Sequence, residues 1–121
     1  MILVELALEP IPMPRAARRG RQTYLPADYR SYRDALSWSM LHARNRANVL
    51  HPFEDPLELM LTFERSTKVR VDGDNLEKTV LDAGTNVLWM DDSQIHRVCW
   101  EKVLGSPTPG TTIRVQPMEV S

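Results

Sequence analysis

Two aspartate pairs hold most of the chemistry this sequence can offer. Asp72 and Asp74 stand two residues apart in VDGDNLEK, and Asp91 and Asp92 are adjacent in WMDDSQ. Carboxylates gathered in one place repel one another unless a cation sits among them. Mg²⁺ is commonly held by one or two such groups, with water and substrate phosphate completing its shell. Upstream, Arg15, Arg18, Arg19 and Arg21 crowd a proline-rich stretch. An acidic cluster beside such a polycation is what metal-assisted phosphodiester cleavage requires. The metal generates hydroxide and offsets charge on the phosphorane, and the arginines hold the polyanion.

Each of these residues also has a purely structural reading. Asp74 followed three residues later by Glu77 has the form of a helix N-cap with its capping-box partner, worth ~1 kcal/mol without any function. A cap uses one carboxylate oxygen, so cap and ligand can coexist. Lys78, one turn beyond Asp74, fits an i,i+4 pair worth ~0.3 to 0.5 kcal/mol, and equally a cation for the scissile phosphate or the leaving oxygen. Asp82, on the same face, reads as solvated or linked to Lys78. A calcium loop starting at Asp72 is excluded, because it would put Glu77 at the required glycine and Ala83 at the required bidentate glutamate. If strand geometry has begun by Asp91, then Asp91 and Asp92 point to opposite faces and only one faces the site.

Tyr24, Tyr29 and Tyr32 lie among Arg21, Arg30 and Arg33, an interleaving that base stacking and phosphate contact would use. Tyr29 and Tyr32 also fit the apolar stripe of a helix, which leaves Tyr24 as the aromatic candidate for contact. His42, His51 and His96 share no ligand spacing. Cys99, Trp89 and Trp100 read as core.

The elements that must position these groups follow from periodicity. Ile2, Val4, Leu6 and Leu8 alternate as one face of a strand. The segment at about 10–26 keeps neither period and reads as an exposed, mobile Arg/Pro-rich loop. From 28 to 46, Tyr29, Tyr32, Leu36, Ser39 and Ala43 recur at helical steps. Leu57, Leu59, Leu61 and Phe63 alternate with Glu58, Met60, Thr62 and Glu64 as a second strand. A second helix is predicted to begin just after Asp74, with Leu76, Val80, Ala83 and Val87 on one face and Gly84 weakening its last turn. Residues 94–104 and 111–116 read as two strands joined by the turn GSPTPG into a terminal hairpin. The order β-α-β-α-β-β implies an α+β, two-layer domain: a small mixed sheet with both helices on one face. That helix is ~16 Å long, so its two flanking aspartate pairs meet if a bent loop returns between them or if the following strand runs back beside Asp72.

At 121 residues the chain has the length of one domain, and its net charge of −1 lacks the strongly basic balance of a simple phosphate-coating protein. The charge is uneven. Residues 1–50 carry eight arginines against four carboxylates (+4), and residues 51–121 carry seven cations against twelve carboxylates (−5). An anion-binding surface therefore belongs to the first half. The single cysteine rules out an internal disulfide and a cysteine-built zinc site, pointing to a reducing, cytoplasmic setting. No stretch has the length needed to span a bilayer, and the N-terminal run shows no positive region or cleavage site of a signal peptide.

The run DGDNLEKTVLDAGTNVLWMDDSQI resembles the core of the RusA family of Holliday junction resolvases, with its D-x-D-N-L-x-K helix start and W-x-D-D-x-Q strand start. A proline-containing first loop and Tyr32, Arg33 and Asp34 in the first helix extend the likeness over most of the chain. The resemblance implies a small mixed sheet with helices, and a bacterial or phage-encoded endonuclease that cuts four-way DNA junctions by paired symmetric nicks. It implies Asp72, Asp74 and Asp92 as metal-binding carboxylates, with Asp91 supporting and Lys78 assisting. The metal would be Mg²⁺, with Mn²⁺ able to substitute, and the assembly a homodimer with two sites, matching the symmetry of the junction. Here the basic run before the first aspartate is reduced to Lys68 and Arg70, so grip on DNA is expected to rest more on Arg15, Arg18, Arg19, Arg21 and Tyr24. Gly84 and Thr85 stand where the family more often continues its helix with an apolar residue. The alternatives are a related nuclease acting on forks or flaps, and a non-catalytic nucleic-acid-binding module in which Asp74 only caps a helix.

Overall fold

Leu57, Leu59, Leu61 and Phe63 are buried while the residues between them are not, and this strand, β4 (Leu57–Arg65), is the axis of the structure. The computed structural model describes residues 1–14 and 26–118, and the backbone alone of 17–19 and 22–24. β1 (Ile2–Leu6) starts the sheet. Within the segment read as an irregular loop, β2 (Ala17–Arg19) and β3 (Gln22–Tyr24) form a small antiparallel ribbon of their own. α1 (Ala27–Arg46) follows, then β4, α2 (Gly73–Gly84), a 3₁₀ turn (Asp92–Gln94), β5 (Ile95–Leu104) and β6 (Gly110–Pro117).

The main sheet has the order β1-β6-β4-β5. β6 is antiparallel to both β1 and β4, and β5 is parallel to β4. The register aligns Val4, Ile113 and Leu61, and also Ile2, Val115 and Leu59, so the apolar side chains of three strands face the same way. Both helices cover that face. The other face leaves Leu3, Met60, Cys99 and Arg114 exposed. The α+β class and the two-layer arrangement therefore match the sequence reading.

The terminal hairpin does not form. β5 and β6 lie on opposite sides of β4, and the turn at 105–109 crosses the end of that strand, with the Gly105 N–H donating to Thr67 O at 3.0 Å and Ser106 N–H to Arg65 O at 2.8 Å. Burial explains the choice. Thr111, Ile113 and Val115 are all buried, which suits β6 to the position between β1 and β4, whereas β5 buries little and takes the edge. The Pro/Gly turn signals a reversal of the chain and says nothing about which strands pair. The edge position also corrects the core assignments of two β5 residues: Cys99 is exposed and Trp100 is 39 % exposed, while Trp89 is fully buried.

α1 buries Tyr29, Tyr32, Leu36, Met40 and Ala43, so its stripe passes through Met40 rather than Ser39. The Tyr32 hydroxyl shares a hydrogen bond with Thr111 Oγ1 beneath the helix. α1 meets α2 through the Ser37 hydroxyl, which donates to Ala83 O at 2.8 Å, and it meets the loop after α2 through Arg44, which donates to Val87 O at 2.9 Å. Asp82 also belongs to this seam. It accepts from the Tyr29 hydroxyl at 3.2 Å and pairs with Arg33 at 3.4 Å, so it is tied to α1 and not to Lys78. No helix among the described residues is long and apolar enough to cross a membrane.

Candidate active site

α2 begins at Gly73, earlier than its apolar periodicity suggests, because Asp72 caps it. Asp72 has extended backbone (φ −80, ψ 120) and its Oδ1 accepts the Asp74 N–H at 3.0 Å. The cap is thus Asp72, and Asp74 sits in the first turn, exposed. An apolar pattern locates the buried face of a helix but not its first residue, and either aspartate could have capped it. Both carboxylates stand at the helix end where the unpaired N–H groups concentrate positive potential. Glu77 is half-buried on the same turn. Its carboxyl is held above the usual range, first by burial and then by the charge of Asp74, with Lys78 acting in the opposite direction.

The glycine between the two aspartates has a spatial reason. A Cβ on Gly73 would meet the six-membered ring of Trp100 at 2.3 to 2.6 Å, so only glycine lets that ring lie on the first residue of α2. Two residues further along β5, and on the same face, Lys102 Nζ donates to Val71 O at 2.7 Å and lies 5.7 Å from the centroid of the Trp100 ring. The strand that follows α2 does run back beside Asp72, but what it delivers there is Trp100 and Lys102, not Asp91 and Asp92. Lys102 was not among the expected site residues. Its signal was the alternation of W-x-K along a strand, which places ring and ammonium on one face.

The loop after β1 is fastened to the same helix mouth. The Met13 N–H donates to Asn75 O at 3.0 Å, and the Thr79 hydroxyl donates to Ile11 O at 3.0 Å. Glu9 anchors the start of the loop by accepting from the Ser66 N–H at 3.0 Å and hydroxyl at 3.1 Å. The chain therefore enters its arginine-rich segment from beside Asn75. Arg15 and Arg21, and the side chains of Arg18, Arg19 and Tyr24, lie outside the described residues. Lys68 and Arg70 are exposed on the loop leading to Asp72, the Lys68 stem packing over Gly105, and Lys78 is exposed on α2.

The second aspartate pair lies at the other end of α2. There the indole of Trp89 fills the space a Cβ on Gly84 would need, at 2.2 Å, and the N–H groups of Val87 and Leu88 close on Gly84 O at 3.0 and 2.9 Å. The Thr85 hydroxyl lies 2.9 Å from both Leu81 O and Asp92 Oδ1. Gly84 and Thr85, where the sequence departs from the pattern it resembles, thus stop the helix on a buried ring and hold Asp92 against its end. Gln94 braces the turn that carries both aspartates. Its Oε1 accepts the N–H groups of Met90 at 2.7 Å and Asp91 at 2.9 Å, and its Nε2 donates to Phe53 O at 2.7 Å and Asp55 O at 3.2 Å. The Ser93 hydroxyl donates to Asp91 Oδ2 at 2.9 Å.

The twelve residues of α2 make a helix about 18 Å long, with Asp72 and Asp74 at its start and Asp92 held against its end. Among the described residues no three His, Cys, Asp or Glu side chains gather as ligands for a metal ion. Within one chain, then, the return of the strand does not unite the two pairs. What it creates is an exposed carboxylate pair with an aromatic ring and two lysines close by, and a braced second pair at a distance.

No individual curated protein matches the chain. The profile of the family described as endodeoxyribonuclease RusA matches residues 7–116 of the 121, a span that includes both aspartate pairs, both helices and nearly all of the main sheet beyond β1. The chain belongs to the RusA family of endodeoxyribonucleases.

Proposed function

We propose that this protein is a Mg²⁺-dependent endonuclease that resolves four-way DNA junctions by paired symmetric nicks, as a homodimer acting in DNA recombination and repair. The observation that carries the reading is the exposed Asp72–Asp74 pair at the mouth of α2, in a chain whose family cleaves DNA.

The donors suit Mg²⁺. Two carboxylates are enough where water and a phosphate oxygen complete the shell, and Asp72 spends only Oδ1 on its cap. Glu77 beside them is held above the usual carboxylate range by burial first and by the charge of Asp74 second, and that second contribution is what a cation among these carboxylates would relieve. Asp72 and Asp74 would hold the ion, which when bound supplies hydroxide near neutral pH and offsets charge on phosphorus. The chain's own residues do the rest. The cap fixes Asp72 relative to Asp74. Lys78, exposed a turn further on, is available to the leaving oxygen, and Lys68, Arg70 and the arginines between 15 and 21 hold flanking phosphates.

Asp92 joins this chemistry only through a second copy. Two α2 helices lying antiparallel across a two-fold axis would bring the first turn of one to the last turn of the other, pairing Asp72 and Asp74 with Asp92 of the partner subunit. Such a dimer carries two equivalent sites, as symmetric cleavage of a junction requires.

The test is cleavage of an end-labelled four-way junction beside its matching duplex and fork. Paired nicks on the junction with Mg²⁺ are expected, lost in EDTA and reduced by about 10³-fold, or ~4 kcal/mol, in Asp74→Asn. Junction binding by that variant should hold or improve, since negative charge facing phosphate is removed. Tight binding with no metal-dependent cut under any condition would reduce Asp72 to a helix cap and leave a binding module.

A further inference from the structure

We infer that Trp100 is a base-stacking platform of the DNA site, with Lys102 as its cation. The inference rests on the nuclease reading above for where the DNA backbone lies.

The ring is held where it is by a sacrifice in the helix. Gly73 gives up a side chain so that the six-membered ring of Trp100 can lie against the first residue of α2, closer than any other residue at position 73 would permit. A ring wanted only for packing would be buried there, yet Trp100 is 39 % exposed, while Trp89, set against a glycine at the other end of the same helix, is fully buried. Lys102 lies 5.7 Å from the ring centroid and spends one of its three N–H donors on Val71 O. An exposed indole beside an ammonium group offers what a nucleotide needs: a flat apolar face for the base and positive charge for the phosphate attached to it. The chain that enters the arginine-rich segment is tied to Asn75 on the same helix turn. At the exchange point of a four-way junction a base can leave its stack at lower cost than in continuous duplex. A base beside the phosphate held at Asp72 and Asp74 would find the Trp100 ring next to it.

The experiment uses the full chain in EDTA, so that binding is read without cleavage, with junctions carrying 2-aminopurine in turn at positions flanking the exchange point. Wild type should change the fluorescence of one such base on binding, and Trp100→Leu, which keeps apolar cover over Gly73, should abolish the change and weaken junction affinity by roughly 10- to 100-fold. Trp100→Tyr and Trp100→Phe, which keep a ring, should fall between, and they carry the test if the leucine variant does not fold. Lys102→Met should lower the slope of log affinity against log salt by about one. The proposal is overturned if the leucine variant, or failing it the ring series, binds and reports like wild type. It is also overturned if loss of the ring converts a dimer to a monomer with fluorescence per bound protein unchanged, which would make Trp100 an interface residue. A wild type that cuts no junction with Mg²⁺ sinks the resolvase reading. One that cuts but gives no Trp100-dependent signal sinks only this one.

Discussion

The two ends of α2 each carry an aspartate pair and a tryptophan seated on a glycine, yet they are built in opposite ways. At the first end Asp72 and Asp74 are exposed, stand at the positive pole of the helix, and have Lys102 and Lys78 nearby. Trp100 there is partly exposed. At the last end Asp92 stands at the negative pole, where a carboxylate is unfavourable, and is held by the Thr85 hydroxyl. Asp91 rides on a turn fixed by the four hydrogen bonds of Gln94, and Trp89 is buried. One end is open and electrostatically ready for a ligand. The other is a rigid bracket that presents carboxylates against the local field. A bracket of this kind has a use if what it presents is completed from outside the chain, which is the role the proposed dimer would give it.

Mixing inactive variants tests that division most severely. Asp74→Asn and Asp92→Asn should each be inactive alone, with cleavage down by about 10³-fold. If the two ends cooperate across the two-fold axis, a mixed dimer of these variants contains one site with both substitutions and one with neither. Co-refolding the two should therefore restore nicking, as single rather than paired cuts. If each chain builds its own site, both sites of the mixed dimer stay damaged and no activity returns. A gel-based nicking assay separates the two outcomes.

The bracket can be attacked directly. Gln94→Ala deletes two acceptor and two donor contacts and leaves the N–H groups of Met90 and Asp91 without their partner. The expected loss is about 3 kcal/mol, seen as roughly 10 °C in Tm. Junction affinity, which the proposed function assigns to the other end, should change little. An unchanged Tm would show that water replaces the amide at no cost and that the turn is not braced.

The tryptophan contrast gives a finer test. Gly84→Ala forces a methyl group into the ring of Trp89, which has no room to retreat, and should lower stability by about 2 kcal/mol. Gly73→Ala meets Trp100, whose ring can swing into solvent, so it should destabilise by less than about 1 kcal/mol while weakening junction binding. Denaturant unfolding of the two variants side by side reads the difference. Equal losses would mean that Trp100 is as firmly packed as Trp89, which would count against a surface role.

What the amino-acid sequence alone reveals divides along the same lines. The alternation of Leu57 to Phe63 and the helical stripe through Tyr29, Tyr32 and Leu36 located β4 and α1, because burial of one face imposes a period on the residues themselves. The α+β class followed from the order of elements. Pairing did not: β5 and β6 are joined by a good turn yet separated by β4, since strand order is decided by which strand can bury both neighbours' edges, a property of the whole sheet. The aspartates were identifiable because few residue types can do their chemistry. Their separation was not, as it depends on where α2 starts and on the direction of β5. Lys102 and Gln94 donate to backbone carbonyls far away in sequence, at Val71, Phe53 and Asp55, and no local pattern announces such partners.

The smallest expected effect lies in Glu77, the acidic group that makes the first end of α2 crowded. Its carboxyl is pushed above the usual range by burial first and by Asp74 second. A group whose folded pKa lies above its unfolded value contributes stability at pH below the unfolded value, and loses it as pH rises through the folded one. Glu77→Gln copies the protonated form. The variant should therefore match wild type in thermal unfolding at pH 4 and gain on it, by a degree or so in Tm, as pH rises to 7. Because burial is the larger cause, the gain should shrink but persist in an Asp74→Asn background. A gain that disappears there would make the Asp74 charge the dominant cause. Millimolar Mg²⁺ should also reduce the gain in wild-type background, by supplying the countercharge that the substitution makes unnecessary, and a gain indifferent to Mg²⁺ would argue that no cation settles at this end of the helix.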